Sequence, residues 1–247
     1  MVTLPSIEWG STGADRRALL IHGINGSAAT WWRVGRALAD DGWHVTAVDL
    51  RGHGAAARAD SYELEQYVSD LPGTGWDLVI GHSLGAAIAT LAAARPGFTR
   101  SLVLLDPVLV IAADEVDAVH DDQLSELGDS LDDIRRSRSH WHPHDQQAKF
   151  DAAQKADRGM VDATFAQNQP WDLVPIAESL AVDTLIVGAD PAVFTFFSPA
   201  LAERITAANP RVTATIIEGA GHSPHKDKPS ETLAVIAEFT SAGEQRP

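Results

Sequence analysis

Ser83 stands in Gly81-His82-Ser83-Leu84-Gly85, after the apolar run 76–80 and before the Ala-rich run 86–94. A serine hydroxyl is a weak nucleophile at neutral pH and needs a base within hydrogen-bond reach. The setting singles this serine out. A turn sharp enough to lift Oγ clear of a strand end leaves no room for side chains two residues to either side. Both flanks are therefore glycine, and a strand before and a helix after give the pattern its meaning. Leu84 would open the helix and aim its backbone N–H at a developing oxyanion, helped by the helix dipole. The chemistry this predicts is attack on a carbonyl carbon.

The base is expected at His222, which follows Glu218-Gly219-Ala220-Gly221 at the end of the apolar run 212–217. His225, three residues on and past Pro224, reads as an exposed bystander. The base needs an acid that fixes its tautomer and stabilises the imidazolium. Two aspartates qualify. Asp190 follows the run 184–187 and Asp106 follows the run 102–105, and each is followed by proline. Asp190 is favoured and Asp106 is the alternative.

The elements that must position these groups are legible as alternating strands and helices. Strands are expected within 2–9 and at 18–21, 44–48, 76–80, 102–105, 184–187 and 212–217. Their short, continuously apolar character fits parallel strands buried on both faces. Strand ends on one edge of a parallel sheet bring distant residues together. Helices are expected at 30–39, with Trp31, Val34 and Leu38 on one face, at 61–71, capped by Ser61, and at 86–94, 199–207 and 232–239. The turn Asp49-Leu50-Arg51-Gly52-His53-Gly54 reads as an Asp–Arg pair holding two loops together.

The alternation stops over 107–183. Val116, Val119, His120, Leu124, Leu127, Leu131 and Ile134 form a helical stripe, and Phe150, Ala153, Met160, Val161 and Phe165 predict further helix with a break near Gly159. This insert carries 16 of the chain's 34 acidic residues, nine of them within 114–133, where there is no Lys or Arg. With the apolar stripe intact, it reads as a helical cap with a solvated acidic face. His140-Trp141-His142-Pro143-His144-Asp145 has residue types that bind zinc. Pro143 breaks regular structure there and no distant ligand set is obvious. The stretch is expected to be a polar cap loop with Trp141 facing substrate, and no metal or cofactor is expected.

At 247 residues the chain suits one α/β domain with an inserted subdomain. It has no cysteine, hence no disulfide and no thiolate chemistry. A formal net charge of −15 argues against nucleic acid or anionic membrane as partner. No apolar run approaches the roughly 20 residues of a membrane span, and the N-terminus lacks signal-peptide features. The expectation is a cytoplasmic monomer or homodimer acting on a small molecule.

His22-Gly23, the Asp49–Gly54 turn, the serine turn and Gly219-Ala220-Gly221-His222 together resemble the α/β-hydrolase fold. The resemblance covers nearly the whole chain. It implies a mostly parallel eight-stranded sheet, with a core of 1–106 and 184–247 and a cap, 107–183, inserted after the sixth strand. It implies that Ile24 supplies the second oxyanion N–H, while His22 itself reads as a brace of its loop and not as a chemical group. The family's usual acid motif would place Asp where this chain has Pro191, and some relatives carry the acid one strand earlier, which keeps Asp106 open. The implied activity is hydrolysis of a carboxylic ester or lactone of a small, moderately apolar molecule through an acyl-enzyme, without a cofactor. Serine at the elbow speaks against relatives with carboxylate nucleophiles. Carbon–carbon bond hydrolysis of a diketone-type metabolite, with Arg135, Arg136 or Arg138 holding a second carbonyl, is the next alternative. A non-catalytic ligand receptor on the same fold is the third.

Overall fold

The expected apolar runs pair side by side in the structure, a computed structural model that describes residues 1–244. The strands are β1 (Ser6–Trp9), β2 (Arg16–Ile21), β3 (Trp43–Val48), β4 (Trp76–His82), β5 (Thr99–Leu105), β6 (Asp183–Gly188) and β7 (Val212–Ile216). They lie in the order β1-β3-β2-β4-β5-β6-β7. All neighbours are parallel except β1, which runs antiparallel to β3 at the edge. Among the described residues the sheet has seven strands, not eight, and the long insert lies between the fifth and the sixth of them.

The continuous apolar runs conceal a two-residue period. Leu19, Ile21, Val79, Leu102 and Leu104 point to one face, and Leu20, Leu78, Ile80, Val103 and Leu105 to the other. Both sets are buried because helices cover both sides, as a parallel sheet requires. On one side pack α2 (Leu64–Asp70) and α3 (Leu84–Ala93). On the other lies α1 (Trp32–Asp40), through Val34 and Leu38. The helix expected at 61–71 begins only at Leu64, and no side chain caps it. Ser61 Oγ instead accepts the N–H of Glu63 in the preceding turn.

The insert folds as α4 (Val116–Ser125), α5 (Leu131–Ser137), α6 (Pro143–Ala153), α7 (Arg158–Ala166) and α8 (Val174–Ala177). Its one strand-like feature is an isolated bridge between Val110 and Asp172. The break between α6 and α7 falls at 154–157, and Gly159 lies inside α7. Asp157 caps α7 by accepting the Met160 N–H at 2.9 Å, so a helix start, and not glycine, sets that boundary. Asp114, Glu115, Asp117, Asp121 and Asp122 are exposed, while Val116, Val119 and Leu124 pack on the core. The chain closes with α9 (Pro199–Ala208), the single turn α10 (Pro224–Asp227) and α11 (Pro229–Glu244), which places Ile236 on the α1 side of the sheet. Among the described residues no helix is long and apolar enough to cross a membrane.

Candidate active site

Ser83 occupies the junction of β4 and α3 with φ 55° and ψ −120°, in a region that non-glycine residues avoid. Strain of this kind costs about 1–3 kcal/mol and is held by the surroundings. The packing shows why. A Cβ on Gly81 would lie 2.4 Å from the Gly85 carbonyl oxygen, and one on Gly85 would lie 2.2 Å from the Ile21 carbonyl oxygen. A Cβ on Gly23 would come within 2.9 Å of Ser83 Cβ. The serine turn and the loop after β2 are therefore pressed together, backbone against backbone.

His222 links two of the strand ends. Its Nε2 lies 2.9 Å from Ser83 Oγ, and its Nδ1 lies 2.6 Å from Asp106 Oδ2. The acid that contacts the histidine is Asp106, and the favoured Asp190 is not brought to it. Asp106 ends β5 at the middle of the sheet, is 0% exposed, and its φ of 36° turns the side chain across the strand ends. It also accepts the N–H groups of Ala189 (3.1 Å) and Phe196 (3.1 Å) and the Thr195 hydroxyl (2.5 Å). Burial works to raise its pKa. The hydrogen bond and charge of His222, with Thr195 and Phe196, outweigh that and hold the carboxyl below its ordinary value. Asp190 ends β6, one strand nearer the edge, and is half-exposed. It caps its own turn by accepting Ala192 N–H and ties the next loop through Gly219 N–H, both at 2.8 Å.

Neighbouring histidines brace the constellation. His82 Nε2 donates to the His222 carbonyl at 2.7 Å, so the residue before the serine holds the loop that carries the base. Burial, followed by repulsion from His225, His222 and Lys226, keeps the His82 pKa well below its usual value. His225, expected to be exposed, is buried at 4% and stacks on Trp31 with ring centres 4.9 Å apart. His22 accepts the Leu50 N–H at Nε2 and donates from Nδ1 to the Gly23 carbonyl, 2.7 Å away. Burial lowers its pKa to about 4, so the ring is neutral and serves as the expected brace. Arg51 is buried against Asp70 at 2.7 Å, not against Asp49. Asp49 instead accepts the N–H groups of Ala28 and Ala55.

Leu84 is the first residue of α3, so its N–H has no carbonyl within the helix to meet. Ile24 follows the glycine packed on Ser83. Ile24, Ser83 and Leu84 together border a slot of about 20 Å³, closed by Val108, Ile111, Phe165 and Trp171. The same serine and histidine also open onto a larger cavity of about 400 Å³, whose lining includes Arg138, Trp141, Lys149 and Lys226. Trp141 thus lines the cavity, with its indole N–H on Asp227 at 2.5 Å.

The rest of the histidine-rich stretch disperses. His140 also meets Asp227, at 2.8 Å, while the His142 ring accepts the His144 N–H at the start of α6. Asp145 is buried under Trp32 (2.7 Å) and Arg33 (3.0 Å). The sequence reading assigned nothing to Lys226. It lies on α10, the single turn that Pro224 opens just after His222.

Comparison with known proteins agrees with this architecture. The profile of the Alpha/beta hydrolase family matches residues 18–235. The 2-(acetamidomethylene)succinate hydrolase of Mesorhizobium japonicum is 26% identical over 93% of this chain and 90% of its own. Lipase LipV of Mycobacterium tuberculosis is 37% identical over 48% of this chain and 47% of its own. The crystal structure of an E-2-(acetamidomethylene)succinate hydrolase superposes with a TM-score of 0.81 at 24% identity, covering 97% of this chain and 96% of that one.

Proposed function

This chain belongs to the alpha/beta hydrolase family, and from that premise we propose that it hydrolyses a carboxylic ester or lactone of a small molecule with Ser83, His222 and Asp106 as its triad. The observation that carries this is the unbroken relay from Ser83 Oγ through His222 to the buried Asp106, at 2.9 and 2.6 Å. Both distances are within the reach that proton transfer requires.

In this mechanism Ser83 Oγ attacks the substrate carbonyl carbon and its proton passes to His222 Nε2. Asp106 accepts from Nδ1–H throughout, holding the tautomer and stabilising the imidazolium. The backbone N–H groups of Ile24 and Leu84 receive the oxyanion. His222 then hands its proton to the leaving oxygen, which departs as the alcohol and leaves an ester on Ser83. A water, deprotonated by His222, cleaves that ester and frees the acid and the serine. The apolar slot beside Ser83 suits one short hydrocarbon substituent. Residues 1–106 and 184–247 supply the machinery and 107–183 the cap, where Trp141 forms part of the substrate wall.

A second reading is favoured by the relative that matches along nearly the whole chain. In it the same serine acts on 2-(acetamidomethylene)succinate or a compound like it. Labelling with a fluorophosphonate, followed by intact-mass measurement, tests the common core of both readings. Stoichiometric labelling of the wild type and none of Ser83→Ala is expected. A folded wild type that neither labels nor turns over any of a graded ester panel or 2-(acetamidomethylene)succinate sinks both and leaves a binding protein on this fold.

A further inference from the structure

We propose that the cavity holds a carboxylate of the substrate between Lys226 and Arg138, so that the preferred substrate is an anionic ester. The inference rests on the serine-hydrolase reading for the word ester, but the anion site stands on its own observations.

Lys226 lines the cavity that Ser83 and His222 open onto, yet it is only 7% exposed. Its ammonium forms no ion pair and no hydrogen bond among the described residues. It lies 5.0 Å from the centre of the Trp141 ring, and Arg138 lies over the same ring at 5.7 Å. A buried charge is normally paired, because desolvation is otherwise uncompensated. The carboxylates facing Lys226 are Asp145, Glu126 and Asp227, and each is already committed. Asp145 is held by Trp32 and Arg33, Glu126 by Lys149 at 2.5 Å, and Asp227 by His140 and Trp141. Lys149 adds repulsion, and with burial it lowers the Lys226 pKa to about 8. Arg138 is likewise without an ion pair among the described residues. Two cations without an ion pair thus line a cavity whose carboxylates are Asp122, Glu126 and Asp227, the last two already paired. In a chain of net charge −15 they offer a site with which an incoming anion can pair. The carboxylate would complete the pairing, and the distance between it and the scissile carbonyl would set which anionic esters fit.

The test uses the full chain in two arms. In the first, glutarate is titrated into wild type and Lys226→Met by calorimetry, without any turnover. Saturable binding to the wild type, weakened about ten-fold or more by the substitution and weaker at pH 9 than at pH 7, is expected. In the second, kcat/KM is compared for 4-nitrophenyl hydrogen glutarate and its neutral methyl ester. The wild type should favour the charged ester about ten-fold or more, and Lys226→Met should lose most of that ratio. Arg138→Gln, at an exposed position, should lower the ratio in a protein whose folding is not in question. No glutarate binding to the wild type, or an unchanged ratio in folded Lys226→Met and Arg138→Gln, overturns the anion site. Glutarate binding with neither fluorophosphonate labelling nor turnover of either ester would keep the anion site and sink the hydrolase reading instead.

Discussion

Two buried charges near the cavity are treated in opposite ways. Behind His222, Asp106 is fully buried and receives two backbone N–H groups, one hydroxyl and an imidazole. At the cavity lining, Lys226 is nearly as buried and its ammonium has an aromatic ring beside it but no ion pair among the described residues. The first arrangement is complete before any ligand arrives. The second is not: burial, and then the like charge of Lys149, lower the Lys226 pKa with no ion pair to offset them. Reactivity is pre-organised where the backbone itself supplies the donors, and selectivity is left as an unfilled electrostatic demand.

Breaking the Asp106 arrangement should have the largest effect. Asp106→Asn should lower kcat/KM on a neutral ester by about 10³–10⁴-fold, because the imidazole loses its tautomer and its counter-charge. Stability needs to be measured alongside, since three other donors would also lose a carboxylate. An Asp106→Asn enzyme within ten-fold of wild type would mean that the relay is not the one described. The Lys226 arrangement should respond in the other direction. Lys226→Met should raise stability at pH 7 by on the order of 2–3 kcal/mol, seen in denaturant melts, as an uncompensated ammonium is removed. The sign follows from a folded pKa near 8 against 10.5 unfolded. The cost is fully present below about pH 8 and is relieved as pH rises towards 10.5, so the gain over wild type should shrink between pH 8 and 10. A gain that is flat in pH would assign it to packing. Thr195→Val removes one donor to Asp106 and should cost about 1 kcal/mol and a few-fold in kcat, by melts and steady-state assay. Asp190→Asn should change neither rate nor fold by more than a small amount, which is the sharpest control on the contrast.

That last control also marks where the sequence ran out. The nucleophile turn, the loop carrying His222 and the strand pattern were legible because steric exclusion and apolar continuity are local properties. Gly81 and Gly85 announce a backbone crowding that the structure shows at 2.4 and 2.2 Å. The two Asp-Pro strand ends are indistinguishable in one dimension. Only the sheet order, which puts β5 beside β4 and β6 one strand out, makes Asp106 the partner and leaves Asp190 to its own turn. His225 was misplaced for a related reason. A polar residue past a proline looks like loop, but α10 folds it back under Trp31. The eight-strand expectation came from the resemblance and not from the apolar runs, which number seven and match the seven strands among the described residues.

Asp106 is the last residue before the insert, yet nothing in the insert holds it. Besides His222, its partners are Val187, Ala189, Thr195 and Phe196, all of which follow the insert in the chain. The acid is thus insulated from whatever sequence begins at Pro107. A change of sequence within 107–183 would leave these hydrogen bonds of the carboxylate in place, while Glu126, whose charge is felt at His222, and Gln123, which holds Asn25, tie the insert to the rest of the site. Pro107 is therefore a practical graft point, provided those two contacts are carried across.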